Sequence, residues 1–282
     1  MHFSNIEKNM VFNLDNSIVG SEVKNEMLKT NDGNFKAAAY VKKGKNHETC
    51  DDAALLVVNE KFALIGVFDG VSGGKFACEA SERALRAVKF FITQNFDDSV
   101  DERIVERAIE EANFAIDNGA TTASIALVFP DGRYFFANVG DSHIYKRDKH
   151  EKISRITVDE KQANGSGFTV YINSRYLLPH SLGGIIGIID VGHGKLEKGE
   201  FLFAMSDGIS DNLVIEVDGG VIKEVSGARD LEIIIGANDE PAEITDAISK
   251  EIKERMQDSE KSNNGEMLVP KEDDASLVVL KY

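Results

Sequence analysis

Two apolar runs, Ala53 to Val58 and Phe62 to Phe68, flank the short polar spacer Asn59-Glu60-Lys61. No other feature limits the fold of this chain so much. Runs of this length and composition are strands, and so short a spacer between them reads as a hairpin. The runs are nearly continuous rather than alternating, which means both faces of each strand are covered. A second hairpin repeats the plan, with SIALVF, the turn Pro130-Asp131-Gly132-Arg133, and YFFANV. Phe201 to Met205 and Ser276 to Leu280 are two further apolar strands. Helical spacing recurs between them, through Ala77, Ala84, Leu85, Val88 and Ile92, and again through Ile104, Ala108, Ala112 and Ile116. A last helix starts at Pro241, a good first-turn residue, and carries Ile244, Ile248, Ile252 and Met256. A doubly wound sheet or two stacked sheets with outer helices would cover such strands. The hairpins call for antiparallel pairing and favour the second.

The chain is long enough, at 282 residues with 42% hydrophobic, to build a large core without staples. Residues 1–35 are polar and weakly patterned, and read as a loose extension or an edge element. Residues 36–282 read as one domain. Within it, 148–200 is irregular and flap-like, and 257–272 is the nearest approach to a linker. Two cysteines, Cys50 and Cys78, form no disulfide framework and suit a reducing compartment. No basic leader with an apolar stretch opens the sequence, and no apolar run approaches the roughly 20 residues that span a bilayer. A soluble, cytoplasmic protein is expected, without membrane partners. A net charge of −16 repels phosphate backbones, so nucleic acid is an unfavourable partner as well.

The aspartates fall at strand ends. Asp52 precedes the first strand of the first hairpin and Asp69 follows the second, at nearly equal distances from the turn. Antiparallel pairing therefore brings them to one sheet edge. Thr122 and Asp141 are equidistant from the centre of the second hairpin. Asp207 follows FLFAM, while Asp273 and Asp274 precede SLVVL, so a third acidic pair reaches an edge if those strands pair antiparallel. Carboxylates so close resist ionisation unless a cation offsets them. An oxygen-only donor set without a His or Cys cluster suits Mg²⁺ or Mn²⁺. The ordinary role of Asp-Gly is a turn, and it fits Asp131 and Asp218. It fits Asp69 and Asp207 less well, because neither leads into a returning strand.

FALIGVFDGVSGG, YFFANVGDSHIY, FLFAMSDGISDN and DDASLVVL resemble, in order, four signature blocks of the type-2C, or PPM, metal-dependent protein phosphatases. GKNHETCDDAALLV resembles the opening block of a prokaryotic-type branch, and GATTAS the small block before the middle hairpin. The resemblance spans about Lys36 to Tyr282. It implies an α+β, four-layer α-β-β-α sandwich of two antiparallel sheets flanked by helices, with metals in a cleft at one edge. It also implies roles. Asp69 would bridge two Mn²⁺ or Mg²⁺ ions, with the Gly70 carbonyl on one of them. Asp207 and Asp273 would bind the other directly, and Asp52 through coordinated water. Asp141 and Asp211 match positions serving a third, weaker ion. A water between two cations is acidified into a nucleophile, and phosphoserine or phosphothreonine in a protein would be hydrolysed by in-line attack. A cognate protein kinase is the natural opposing partner.

Two positions depart from the family pattern. Val71 stands where many relatives have a histidine, and His47 where they have a phosphate-gripping arginine. An imidazolium still binds phosphate, but as a pH-dependent, non-bidentate partner. Asp274 stands where asparagine is usual and counts only as a neighbour of the site. A catalytically weak or inactive member, binding phosphoproteins as a regulatory module, is the alternative. Gly73-Gly74-Lys75 and Gly183 to Gly187 fail as nucleotide loops, since the first lacks its leading glycine and Ser/Thr and the second its first glycine. His180 and His193 are expected to face solvent.

Overall fold

The computed structural model describes residues 17–18, 26–45, 47–71, 75–97, 99–158, 181–183, 189–213, 215–218, 221–224, 229–236, 238–257 and 272–282. One sheet has the strand order β1-β4-β5-β6-β7-β10: Ser17–Ile18, Asp52–Val58, Ala63–Asp69, Ala123–Val128, Arg133–Val139 and Asp190–Lys195. The other has the order β2-β3-β14-β11-β8-β9: Glu26–Asp32, Phe35–Lys42, Ala275–Lys281, Phe201–Met205, His143–Arg147 and Ile153–Arg155. Every pairing in both is antiparallel. Helices α1 (Ala77–Asn95) and α2 (Arg103–Ala115) cover the first sheet. Helices α3 (Asp207–Leu213), α4 (Arg229–Ile235) and α5 (Pro241–Gln257) cover the second. A separate hairpin joins β12 (Ile215–Asp218) to β13 (Val221–Glu224).

Three apolar layers hold these four together, and side-chain alternation sorts the residues among them. On β4, Ala53, Leu55 and Val57 face α1 and α2, whereas Ala54, Leu56 and Val58 face the second sheet. On β14, Val278 and Leu280 face the first sheet, whereas Leu277 and Val279 meet Ile244, Ile248 and Ile252 of α5. The apolar runs are continuous because both faces of these strands are covered, as expected. The architecture is the α-β-β-α sandwich of two antiparallel sheets.

Within residues 1–35 the described part takes the form of an edge element rather than a loose extension: it contributes two edge strands, β1 and β2, and β2 pairs with β3 along its whole length. The expected boundary at residue 35 therefore cuts through a strand pair. The flap-like span 148–200 supplies β9 and β10 at its two ends, and residues 159–180 and 184–188 lie outside the described residues. The linker-like stretch 257–272 is likewise almost wholly outside them. Finally, residues 129–132 separate β6 from β7, and because the Phe129 N–H donates to the Arg133 carbonyl at 2.8 Å the loop inside that pair is residues 130–132, closed by the Gly132 N–H donating to the Phe129 carbonyl at 2.9 Å. Gly132 there takes the left-handed conformation, φ +84°. An odd-length loop shifts the register by one: Ala123 pairs with Val139, so Thr122 stands opposite Gly140, and Asp141 lies one residue beyond. The symmetry expected for Thr122 and Asp141 does not hold. Among the described residues, no helix is long and apolar enough to cross a membrane.

Leu56 is completely buried between the sheets, while Phe90 on α1 is 68% exposed. Leu56→Ala should destabilise the protein by about 2–5 kcal/mol through lost transfer energy plus a cavity. Phe90→Ala should change stability by no more than about 0.5 kcal/mol. Urea unfolding of the two variants checks the contrast.

Candidate metal centre

The phase that places Ala54 and Leu56 between the sheets also places Asp52 there, and the phase of Ile65 and Val67 does the same for Asp69. The two residues are direct partners in the β4–β5 ladder, as the hairpin symmetry requires. On β14 the same phase runs from Leu280 and Val278 to Ser276 and Asp274, and on β11 from Leu202 and Ala204 to Ser206. At this end of the sandwich the layer between the sheets changes from apolar to acidic. β11 and β14 pair antiparallel, so Asp207 and Asp273 do reach the same edge.

Backbone contacts fix the carriers. The Asp69 N–H donates to Thr122 Oγ1 at 3.0 Å, and its carbonyl accepts from the Thr122 N–H at 2.8 Å and the Thr121 hydroxyl at 2.9 Å. Thr122 Oγ1 in turn contacts Ser142 Oγ at 2.8 Å. Gly70 has no room for a side chain, since a Cβ would stand 2.6 Å from the Ala77 carbonyl oxygen and 2.7 Å from that of Asp51. Asp207 opens α3 directly after β11, with the Ile209 and Ser210 N–H groups donating to the Ser206 carbonyl at 3.0 and 3.1 Å. A Cβ on Gly208 would lie 1.9 Å from the Asp274 carbonyl oxygen. In both dipeptides the glycine permits close backbone approach rather than a hairpin turn. Asp131 and Asp218 do sit at hairpin ends, as their turn reading expects.

The carboxylates are crowded. Burial pushes the Asp52 carboxyl up to about 8, against hydroxyls of Ser276 and Ser206 that favour its charge and with the charges of Asp274 and Asp207 adding to the rise. Neither of its oxygens, both buried, has a hydrogen bond of normal geometry. Asp69 is driven well above the usual carboxylate range, first by desolvation at the cleft floor, then by Asp52 and Asp207, and also by Asp141. Asp69 and Asp207 are close enough to share a proton. A buried carboxylate with no well-aligned donor, gathered with other carboxylates, fits a hard divalent cation. Asp141 itself is exposed, and Asp211 lies one turn after Asp207 on α3, half-buried.

The loop before β4 closes over Asp274, which is 2% exposed. Asp274 Oδ1 accepts from the Gly44 N–H at 2.6 Å and Oδ2 from the Asp51 N–H at 2.5 Å. His47 Nδ1 lies 3.1 Å from Asp274 Oδ2, and its Nε2 3.8 Å from Asp273 Oδ1. Burial opposes charge on the His47 ring, but Asp274, Asp273 and Asp51 outweigh it and raise its pKa. His47, Asp51 and Asp274 also offer ligand atoms all within 4.8 Å of one another, a spacing that could hold an ion. Ser206, Ser276 and the central position of Asp274 escaped the sequence reading. Counting alternate residues back from the apolar positions of β11 and β14 would have found all three.

Other features settle outside the cluster. Cys50 is buried, and burial holds its thiol firmly protonated, which makes it unreactive. His193 lies on β10, paired with Glu102 at 2.6 Å on the surface. His180, Ser72–Gly74 and most of the Gly183–Gly187 stretch are outside the described residues. The Val71 N–H donates to the Ala120 carbonyl at 2.9 Å, so the backbone there is anchored whatever the side chain.

Comparison with known proteins agrees with this fold. The family model "Protein phosphatase 2C" matches residues 42–224. Among solved structures, RsbX in complex with magnesium is similar, with TM-score 0.59, 17% identity, and 91% of this chain and 99% of that chain covered. The Mycobacterium tuberculosis serine/threonine phosphatase PstP/Ppp gives a TM-score of 0.60 at 17% identity, covering 88% and 98%. The PstP catalytic domain in complex with 2 manganese ions gives 0.60 at 15% identity, covering 88% and 97%. Identities this low establish the shared fold. No curated protein matches the chain.

The raised carboxylates set a pH dependence. A carboxyl whose folded pKa is raised stabilises the fold fully below its unfolded value, 3.8, and loses that contribution as pH climbs through the folded value, near 8 for Asp52. Urea unfolding of the metal-free protein should therefore show stability falling from about pH 5 to about pH 8. Asp52→Asn should flatten that fall, and Mn²⁺ at the upper pH should restore the loss. Stability that holds level or rises with pH would mean these groups are ionised in the fold.

Proposed function

This chain belongs to the protein phosphatase 2C family, and on that footing we propose that it is a metal-dependent phosphatase of phosphoserine and phosphothreonine in proteins. The observation that carries the reading is the Asp52–Asp69 ladder pair facing Asp207 across the sheet gap, with the Asp52 oxygens buried and only the poorly aligned hydroxyls of Ser276 and Ser206 beside them. Asp69, the Gly70 carbonyl, Asp207 and Asp273 would hold two Mn²⁺ or Mg²⁺ ions, with Asp52 acting through water. Asp141 and Asp211 would serve a third, weaker ion. The relatives solved with magnesium and with two manganese ions support that choice of metals. When bound, such ions acidify water and offset charge on a phosphoryl group.

The chain's own residues have separate tasks. Thr121 and Thr122 hold the Asp69 backbone, so its carboxylate keeps a fixed position in the cleft. His47 stands beside Asp273 and would contact the phosphoryl oxygens. Val71 offers no proton to a departing alkoxide, so a water supplies it. The substrate is a phosphorylated protein, the natural opponent a cognate protein kinase, and the compartment the cytoplasm. The departures at His47 and Val71 favour one other reading, a weakly active or inactive member that binds phosphoproteins as a regulatory module.

Hydrolysis of p-nitrophenyl phosphate tests the proposal. Turnover should require added Mn²⁺ and stop with chelator. In Asp69→Asn it should fall by at least about 100-fold, the equivalent of losing several kcal/mol of charge stabilisation. A wild-type protein with no Mn²⁺-dependent turnover above that variant would sink the enzyme reading. Retained binding of a phosphopeptide in that case would favour the regulatory one.

A further inference from the structure

Asp274 has more partners than any role as a mere neighbour requires. Its two carboxylate oxygens receive the N–H groups of Gly44 and Asp51, which are the two ends of the loop before β4. Its Oδ2 lies 3.1 Å from His47 Nδ1, at the middle of that loop. Its own N–H donates to Asp273 Oδ1 at 2.8 Å. The loop packs against the same backbone, since a Cβ on Gly44 would come within 3.0 Å of the Asp273 carbonyl carbon. On the other side, the start of α3 rests on the Asp274 carbonyl through Gly208. Other ties are the Lys43 ammonium to the carbonyls of His47 and Gly44, the His47 N–H to the Gly44 carbonyl at 3.3 Å, and the Gly70 N–H to the Asp51 carbonyl at 3.1 Å.

This arrangement is more specific than packing. A buried carboxylate with an N–H on each oxygen has little freedom to turn, because both bonds are charge-assisted and would be lost together. The third contact is an ion pair at 3.1 Å without hydrogen-bond geometry, and it holds the Nδ1 side of the imidazole against Asp274, leaving Nε2 on the side of Asp273. Asparagine could not reproduce this. One of its two terminal atoms is an NH₂ group, which would face either the Gly44 or the Asp51 N–H, donor against donor.

We propose that Asp274 is a positioning residue for phosphate recognition, clamping the 44–51 loop to β14 so that His47 is held beside Asp273 and meets the phosphoryl group with Nε2. The proposal rests on the phosphatase reading for its kinetic consequence but not for the clamp itself.

Two measurements separate the layers. In the first, the metal-free full chain is digested briefly with trypsin and the fragments weighed. Asp274→Asn should speed cleavage after Lys43 and Lys45, with the far-ultraviolet spectrum unchanged. Unaltered cleavage there would overturn the clamp whether or not the protein is an enzyme. In the second, KM, kcat and the Mn²⁺ concentration for half-activation are measured on p-nitrophenyl phosphate for wild type, His47→Ala, Asp274→Asn and the double variant. His47→Ala should raise KM about ten-fold, the effect of losing one hydrogen bond to a charged group. Asp274→Asn should raise KM comparably in the wild-type background but less than about two-fold on His47→Ala, because coupled residues are non-additive. KM and kcat are read at saturating Mn²⁺ for each variant, so that the charge lost beside Asp52 does not enter them. An equal effect of Asp274→Asn on KM in both backgrounds would show that Asp274 acts on the metals or the fold and would overturn the proposal. A wild type inactive with Mn²⁺ would count against the phosphatase reading alone. In that event, calorimetry of inorganic phosphate binding to the same four Mn²⁺-loaded proteins replaces KM, with the same expected pattern.

Discussion

Everything in this molecule depends on two sheets stacking through one shared apolar layer. The period-two rule that sends Ala54, Leu56, Ile65, Val67, Val278 and Leu280 into that layer cannot be switched off at the strand ends. Whatever residue comes next in phase is delivered to the same gap. On β4, β5 and β14 those residues are Asp52, Asp69 and, beyond Ser276, Asp274. The core and the acidic cluster are one construction seen at two places along the same strands.

That origin explains the electrostatic tension of the cluster. A carboxylate on a flexible loop would turn outward to water when crowded by others. Asp52 cannot, because its strand is bonded on both sides, to β1 and β5, and its side chain is buried. Sheet formation forces it into a site where charge is costly, and a cation is the external remedy. Any ion bound here would therefore be linked to folding, with the ion and protons competing for the same oxygens.

The sequence disclosed the strands, the long helices and the acidic edge because each has a short-range signature. Phe201 to Met205 matches its strand at both ends, and the helix begun by Pro241 runs to Gln257. The Asp52–Asp69 pairing was legible because the spacer between their strands fixes the register. The Thr122–Asp141 pairing was misjudged for the complementary reason. One left-handed residue, Gly132, makes the loop odd and moves every partner by one. Strands β1 and β2 were hard to see, since edge strands lack the apolar density of covered ones. The role of Asp274 was not visible at all. Its partners Gly44 and Asp51 are more than 220 positions away in sequence, and backbone N–H groups leave no trace in residue identity.

Neither Gly70 nor Gly208 has space for a single extra carbon. Both stand directly after a carboxylate of the cluster, so Asp69 and Asp207 are seated on backbone wedged against other backbone. If these carboxylates hold a cation, Ca²⁺, which prefers six to eight oxygens at about 2.3–2.6 Å, would have to spread the two carriers apart, whereas a smaller octahedral ion would not. The missing side chains would then turn close packing into a size preference for the cation.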